Sequence, residues 1–355
     1  MNLSRRAFLQ AAAASALAGS AQSAEPAPRR LPGYGAAVGV SDIEGDPRFA
    51  RALAQYCSQI VPAWELKWDY VRPARDAFRF DRGDKLLRFA RDNDLSMRGH
   101  CLVWYYGLPA WTKEIANSAE AERELFRHVD TVVGHYRGSL TSWDVVNEPI
   151  PDNAVSEGDR RPCFWSNLLG DRYIPFALET AAAADPNAKL TINEYDVEYA
   201  EQPYLMKRAA LRRLVFELLD AGAPLHAVGL QCHLRGATRI DVDGLAHFVG
   251  ELRGAGLGVY VTELDVNDSD LPADPRQRDE IIARQVHDVL SAVASAGPLD
   301  NVLTWGLSDR YSWISQMFPR ADKLPNRPLP LDREFQPKPF MATLETFTGA
   351  ATRHG

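Results

Sequence analysis

From Tyr34 to Trp305 the chain repeats one pattern: a short β-rich run, a turn, then a longer stretch whose apolar residues recur at three- and four-residue steps. Nothing constrains the fold more, because strands alternating with helical crossovers are left parallel to one another. The strand candidates are Tyr34–Val38, Gln59–Val61, Met97–Val103, Ser142–Val146, Lys189–Asn193, Ala227–Gln231, Gly258–Thr262 and Asn301–Trp305. Helical periodicity runs through Glu120–His135, Tyr173–Ala184, Leu205–Leu219 and Arg276–Ser295. Eight such strands predict an α/β fold of the (β/α)8 barrel type. An open doubly wound sheet fits less well, because no Gly-rich phosphate turn follows the first strand. No Pro- or Ser-rich linker announces a second module, so one domain is expected over residues 25–355.

The net charge of -7 offers no clustered basic footprint, which argues against nucleic acid or an anionic membrane as a partner. The N-terminus stands apart from this acidic balance. Ser4-Arg5-Arg6-Ala7-Phe8-Leu9 precedes an Ala-rich apolar run ending near Ala18, and Ala21-Gln22-Ser23-Ala24 supplies small residues for cleavage. The run is shorter than the roughly 20 residues a bilayer span needs, so residues 1–24 read as a twin-arginine export signal. The mature protein is therefore expected in the periplasm or the medium. Cys57, Cys101, Cys163 and Cys232 are too few and too scattered for a disulfide scaffold or a metal-ligand spacing, and core packing is their default role.

In a parallel barrel the side chains at strand C-termini face the mouth where chemistry is done. Here those positions are polar or aromatic in strand after strand. The third strand offers His100 and Trp104, the fourth Asn147-Glu148, and the fifth Asn193-Glu194. The sixth offers Gln231-Cys232-His233, the seventh Glu263-Leu264-Asp265, and the eighth Trp305. A lone glutamate at a strand end is more often an exposed loop residue, and a lone tryptophan more often core. Two glutamates ending strands four and seven, with indoles beside them, match what glycoside hydrolysis demands: an acid for the leaving oxygen and a carboxylate for the anomeric carbon.

At these residues the sequence resembles glycoside hydrolase family 10, the endo-β-1,4-xylanases. The resemblance runs through Trp-Glu-Leu-Lys-Trp (64–68), Arg-Gly-His-Cys-Leu-Val-Trp (98–104), Trp-Asp-Val-Val-Asn-Glu-Pro (143–149) and Asp-Pro-Asn-Ala-Lys-Leu (185–190). It continues through Gly-Leu-Gln-Cys-His-Leu (229–234), Val-Thr-Glu-Leu-Asp-Val (261–266), Trp-Gly-Leu-Ser-Asp-Arg-Tyr-Ser-Trp (305–313) and Pro-Lys-Pro (337–339). It implies retaining cleavage of xylan or xylo-oligosaccharides, with Glu148 as acid/base and Glu263 as nucleophile. By the same resemblance Asn147 contacts the sugar 2-hydroxyl, and His233 and Asp265 orient the nucleophile. Lys67, His100, Trp104, Gln231, Trp305 and Trp313 would line the sugar subsites on the non-reducing side. No cofactor or metal is implied, and a monomer is the expected state. The two carboxyl groups of a retaining pair stand about 5–5.5 Å apart, and each raises the other's pKa.

The chain departs from the family pattern at two places. Ala63 and Trp64 stand where members usually carry Glu-Asn, and Tyr105-Tyr106-Gly107 follows Trp104 where they usually carry His-Ser-Gln. The missing Glu, Asn and Gln are polar contacts to the second sugar in the family, so one subsite is expected to be rebuilt, with Trp64 inside it. Drift of loop residues would produce the same substitutions without consequence. Two other functions remain: an exo-acting or short-substrate β-glycosidase, favoured if Trp64 and Tyr105 block that subsite, and a non-catalytic sugar-binding barrel, disfavoured by the retained Asn147, Glu148, His233 and Glu263. A metal-dependent hydrolase lacks local ligand spacing. Because the twin-arginine address is read by a receptor, replacing Arg5 and Arg6 by Lys is expected to leave precursor in the cytoplasm on fractionation; normal export would assign the general secretory route.

Overall fold

The computed structural model describes residues 31–348 other than 32 and 300. The expected export signal over residues 1–24 lies outside the described residues. The eight barrel strands are Tyr34–Val38, Gln59–Pro62, a third strand interrupted at Arg98 (Ser96–Met97 and Gly99–Val103), Ser142–Asn147, Lys189–Glu194, Ala227–Leu230, Gly258–Asn267 and Val302–Thr304. Each pairs in parallel with the next, and the eighth returns to the first through Tyr34 opposite Val302. The interruption at Arg98 does not open the wall: the Arg98 N–H donates to the Ile60 carbonyl at 3.1 Å. The sheet is thus closed, which excludes the open doubly wound alternative.

Each strand is followed by one of the longer helices, from Pro47–Tyr56 to Pro339–Thr348. Their starts follow local chemistry. Asp46 and Asp274 cap helices that open on a proline, their carboxylates accepting from the Arg48 and Gln277 N–H at 2.9 and 2.8 Å. Asn117 and Asp241 do the same for Ser118–His135 and Val242–Gly254. Capping side chains satisfy N–H groups that the first helical turn leaves unpaired. The apolar faces of these helices bury a continuous core against the outer side of the barrel. No helix among the described residues is long and apolar enough to cross a membrane. The four cysteines are buried and free, as core packing predicts.

The inner side is more polar than a packed barrel requires. Arg98, almost wholly buried, donates to Asp144 at 2.5 Å and to the Ser142 hydroxyl at 3.2 Å, while Thr191 donates to the same Asp144 oxygen at 2.6 Å. Burial alone would raise the Asp144 carboxyl, but the Arg98 charge and its hydrogen bonds to His100 and Thr191 hold it below the usual carboxylate range. Register shifts interrupt the ladders between His100 and Val103, between Asp144 and Val146, and between Val302 and Thr304. Such bulges re-aim the side chains beyond them, and all three lie one or two residues below the mouth.

The long loop after the eighth strand is anchored from below. Asp268 accepts from Arg278 at 2.8 Å, Asn326 at 2.8 Å and the Arg327 N–H at 3.0 Å. Lys338 pairs with buried Asp309 at 2.8 Å. These buried charge pairs fix the segment that carries Trp313 across the barrel mouth.

Candidate active site

A cleft of about 450 Å³ lies at the C-terminal ends of the strands, and every one of the twelve site residues expected from the sequence lines it. Glu148 follows the fourth strand directly and adopts φ +57°. That left-handed conformation is unfavourable for a residue with a Cβ and persists only where its surroundings impose it. Here the Glu148 N–H donates to the Asn193 carbonyl at 2.8 Å, Arg161 Nε donates to the Glu148 carbonyl at 2.8 Å, and the Ile150 N–H donates to Glu194 at 2.9 Å. The carboxyl group is thereby turned into the cleft. Its Oε2 accepts from Trp104 Nε1 at 2.7 Å, and its Oε1 accepts from Gln231 at 3.1 Å and Asn147 at 3.2 Å.

Glu263 sits across the mouth in the middle of the seventh strand. Its Oε1 accepts from Asn193 Nδ2 at 2.6 Å, and its Oε2 faces His233 Nε2 at 3.2 Å. His100 Nδ1, bonded to Asp144 at 2.9 Å, lies 3.8 Å from Glu263. Burial works to raise the Glu263 carboxyl, but the charges of His100 and His233 outweigh it and hold the group ionised below its ordinary range. His233 itself stands between Glu263 and Asp265, bonded to the latter at 2.8 Å, while Trp313 Nε1 donates to the other Asp265 oxygen at 2.7 Å. Burial disfavours the imidazolium; the two flanking carboxylates, Asp265 first, overcome this and push it well above the usual histidine value.

The two glutamates are linked by side-chain amides. Gln231 donates to both Glu148 and Asn147, and Asn193 donates to both Asn147, at 2.9 Å, and Glu263. Asn193, noticed in the sequence only as a strand end, is therefore the bridge. Other contributors gave weaker signals: Asp144 lies mid-strand, and Tyr195 and Arg161 lie in loops. Arg161 stacks 4.5 Å over Tyr105 and reaches the Tyr195 hydroxyl at 3.2 Å. On the opposite side Lys67 Nζ lies 4.3 Å over the Trp64 ring, 4.7 Å over Trp104 and 5.6 Å over Trp305, a cation enclosed by indole faces.

Among the described residues, one group of metal-ligand type is compact: His100, Asp144 and Glu263, with ligand atoms within 4.8 Å of one another. Its oxygens are committed to Arg98, Thr191, His100, Asn193 and His233, and the Arg98 guanidinium opposes a further cation. The donor set suits a hydrogen-bonded network rather than a metal.

A Glycosyl hydrolase family 10 model matches residues 27–346. Endo-1,4-beta-xylanase 1 of Humicola insolens is 34% identical over 349 residues, covering 96% of this chain and 77% of its own length. Endo-1,4-beta-xylanase C of Phanerodontia chrysosporium is 36% identical over 285 residues, covering 79% of this chain and 67% of its own. Among solved structures the chain is similar to native xylanase 10B from Thermotoga maritima, with a TM-score of 0.81 at 26% identity over 91% of this chain and 96% of the other. It is also similar to xylanase 10B from Thermotoga petrophila RKU-1 in complex with xylobiose, with a TM-score of 0.79 at 25% identity over 90% and 94%.

Two acids beneath the mouth are unusually placed. Burial pushes Glu194 up to about 7, against the pull of fully buried Lys207 at 3.1 Å. Burial, aided by the charge of Asp196, likewise pushes Glu198 up to about 7. A carboxyl whose folded pKa lies above its unfolded value of 4.5 keeps a proton the unfolded chain has lost, so its contribution to stability is complete below 4.5 and disappears as the pH rises through 7. Glu198→Gln is therefore expected to match wild type near pH 4 and to exceed it by about 1–3 kcal/mol at pH 8 in urea unfolding, at roughly 1.4 kcal/mol per unit. Equal stability at pH 8 would mean that Glu198 ionises without cost.

Proposed function

The chain belongs to glycosyl hydrolase family 10, and on that premise we propose that it is an exported, monomeric, retaining endo-β-1,4-xylanase with an altered second subsite. The observation that carries the reading is the pair Glu148 and Glu263, facing one aromatic-walled cleft and joined through Asn147, Gln231 and Asn193. Glu263, ionised by its imidazole neighbours, attacks the anomeric carbon while the Glu148 carboxyl gives its proton to the departing glycosidic oxygen. The C–O bond to the leaving sugar breaks as the bond to Glu263 forms. Glu148, now a carboxylate, takes a proton from water, which attacks the same carbon and releases Glu263 with the β-configuration restored. Asp265 and Trp313 hold His233 against the nucleophile through both inversions. Asn147 addresses the 2-hydroxyl of the reacting sugar. Lys67, His100, Trp104, Gln231, Trp305 and Trp313 hold the non-reducing part of the chain.

The altered subsite rests on backbone as well as side chains. Gly107 adopts φ +69° and its carbonyl accepts from the Asp69 N–H at 3.1 Å, so the loop takes a path that favours glycine there. Trp64 leans on Lys67 and leaves nearly half its surface open. An indole anchored on one side and open on the other is a stacking face for a sugar ring.

Two measurements test the reading. Glu263→Ala is expected to lose hydrolysis and to regain turnover with azide, which fills the vacated space and gives an α-glycosyl azide. Residual hydrolysis without azide would remove Glu263 from the nucleophile role. Trp64→Ala is expected to lower kcat/KM for an aryl β-xylobioside about tenfold, the worth of a lost stacking contact, while leaving an aryl β-xyloside near wild type. A rise for the xylobioside would make Trp64 an obstruction and favour the short-substrate alternative.

A further inference from the structure

A recess of about 60 Å³ adjoins the cleft and shares three of its walls, Trp64, Trp305 and Trp313. Its inner wall includes Val38, Asp42 and Ala63. The Ala63 N–H donates to the Val38 carbonyl at 3.0 Å, continuing the ladder between the first two strands, so the backbone at 63 is fixed. Ala63 presents only a methyl group to this space. Asp42 is half-buried, with Oδ2 accepting from the Gly39 N–H at 3.3 Å. Glu65 stands nearby, its carboxylate on the Val40 N–H at 2.8 Å and on Arg82 at 3.2 Å.

Size and charge define what this recess accepts. At roughly 10–15 Å³ for each water-sized group, it holds about four to six such groups. That is too little for a pyranose ring and enough for a hydroxymethyl or an acetyl group. The carboxyl of Asp42 opposes an anionic substituent and leaves an acceptor for a hydroxyl, while Glu65 behind it is paired with Arg82. Apolar Val38, Ala63 and the indole edges suit carbon.

We propose that this recess is a side pocket for a small uncharged substituent on the sugar lying against Trp64 and Trp305: the hydroxymethyl of a hexose or an acetyl ester on a pentose. A uronate is disfavoured, because its carboxylate would meet that of Asp42. The inference rests on the xylanase reading, because it requires a β-1,4-linked pyranose chain in the cleft.

The test compares kcat/KM for an aryl β-xylobioside with three analogues altered only on the sugar distal to the aglycone: one bearing a hydroxymethyl, one a single acetyl ester, one a carboxylate. Wild type is expected to cleave at least one neutral analogue within about fivefold of the parent and the carboxylate at least about tenfold worse. Ala63→Leu fills the recess and is expected to lower the ratio of that neutral analogue to the parent at least about tenfold, with Ala63→Val between, since overfilling a closed site rejects the extra atoms. The arm that responds identifies the substituent. Rejection of both neutral analogues by a wild type that cleaves the parent overturns the pocket and leaves the xylanase reading standing. So does a ratio unchanged in both Ala63 variants. Failure to cleave the parent overturns the xylanase reading and the pocket with it.

Discussion

The side-chain amide of Asn193 is the constraint on which the mouth of the barrel depends. Its two hydrogens go to Asn147 and Glu263, its oxygen accepts from Thr262 at 2.6 Å, and its main-chain carbonyl receives the Glu148 N–H. Both amide hydrogens and the amide oxygen are engaged, so the amide has one orientation and imposes it on both glutamates. Its own position depends on an absent atom. A Cβ on Gly229 would lie 2.3 Å from the Asn193 oxygen, so the sixth strand approaches the fifth closely enough to hold the amide only because glycine stands there. The geometry between two candidate catalytic groups on strands four and seven is thus set by a residue on strand five and a missing side chain on strand six.

Much of this was legible in the sequence, and the reason is periodicity. Each of the eight strands was located within two residues at its start, because parallel barrel strands are short apolar runs and the amphipathic helices between them mark their limits. Only the seventh strand runs far past its reading, to Asn267, since the polar residues Glu263 and Asp265 disguise its second half. The polar strand ends identified the mouth: His100, Trp104, Asn147, Glu148, Gln231, His233, Glu263, Asp265 and Trp305 all line the cleft, whereas Asn193, Glu194 and Cys232 stand behind it. What stayed hidden was pairing across the barrel. Arg98 with Asp144, and Asn193 with Glu263, join residues 46 and 70 positions apart, a relation no local pattern encodes. The bulges were equally invisible, because one unpaired residue in a strand leaves composition unchanged.

Electrostatics divides the mouth in the same way. Glu263 is flanked by the imidazoles of His100 and His233, which hold its carboxyl below the ordinary range, whereas Glu148 is held by hydrogen bonds from the uncharged Trp104, Asn147 and Gln231.

The left-handed backbone at Glu148 has an evolutionary consequence. Glutamate is a poor choice for φ +57°, whereas glycine, and to a lesser degree asparagine, adopts that conformation readily. The side chain opposes such a change, because its carboxylate accepts from Trp104, Gln231 and Asn147, and glycine would leave those donors without this partner. A duplicated copy of this gene freed from selection on catalysis would therefore exchange backbone strain for unpaired polar groups if it lost this glutamate. The hydrogen bonds that aim the acid also anchor it in the fold.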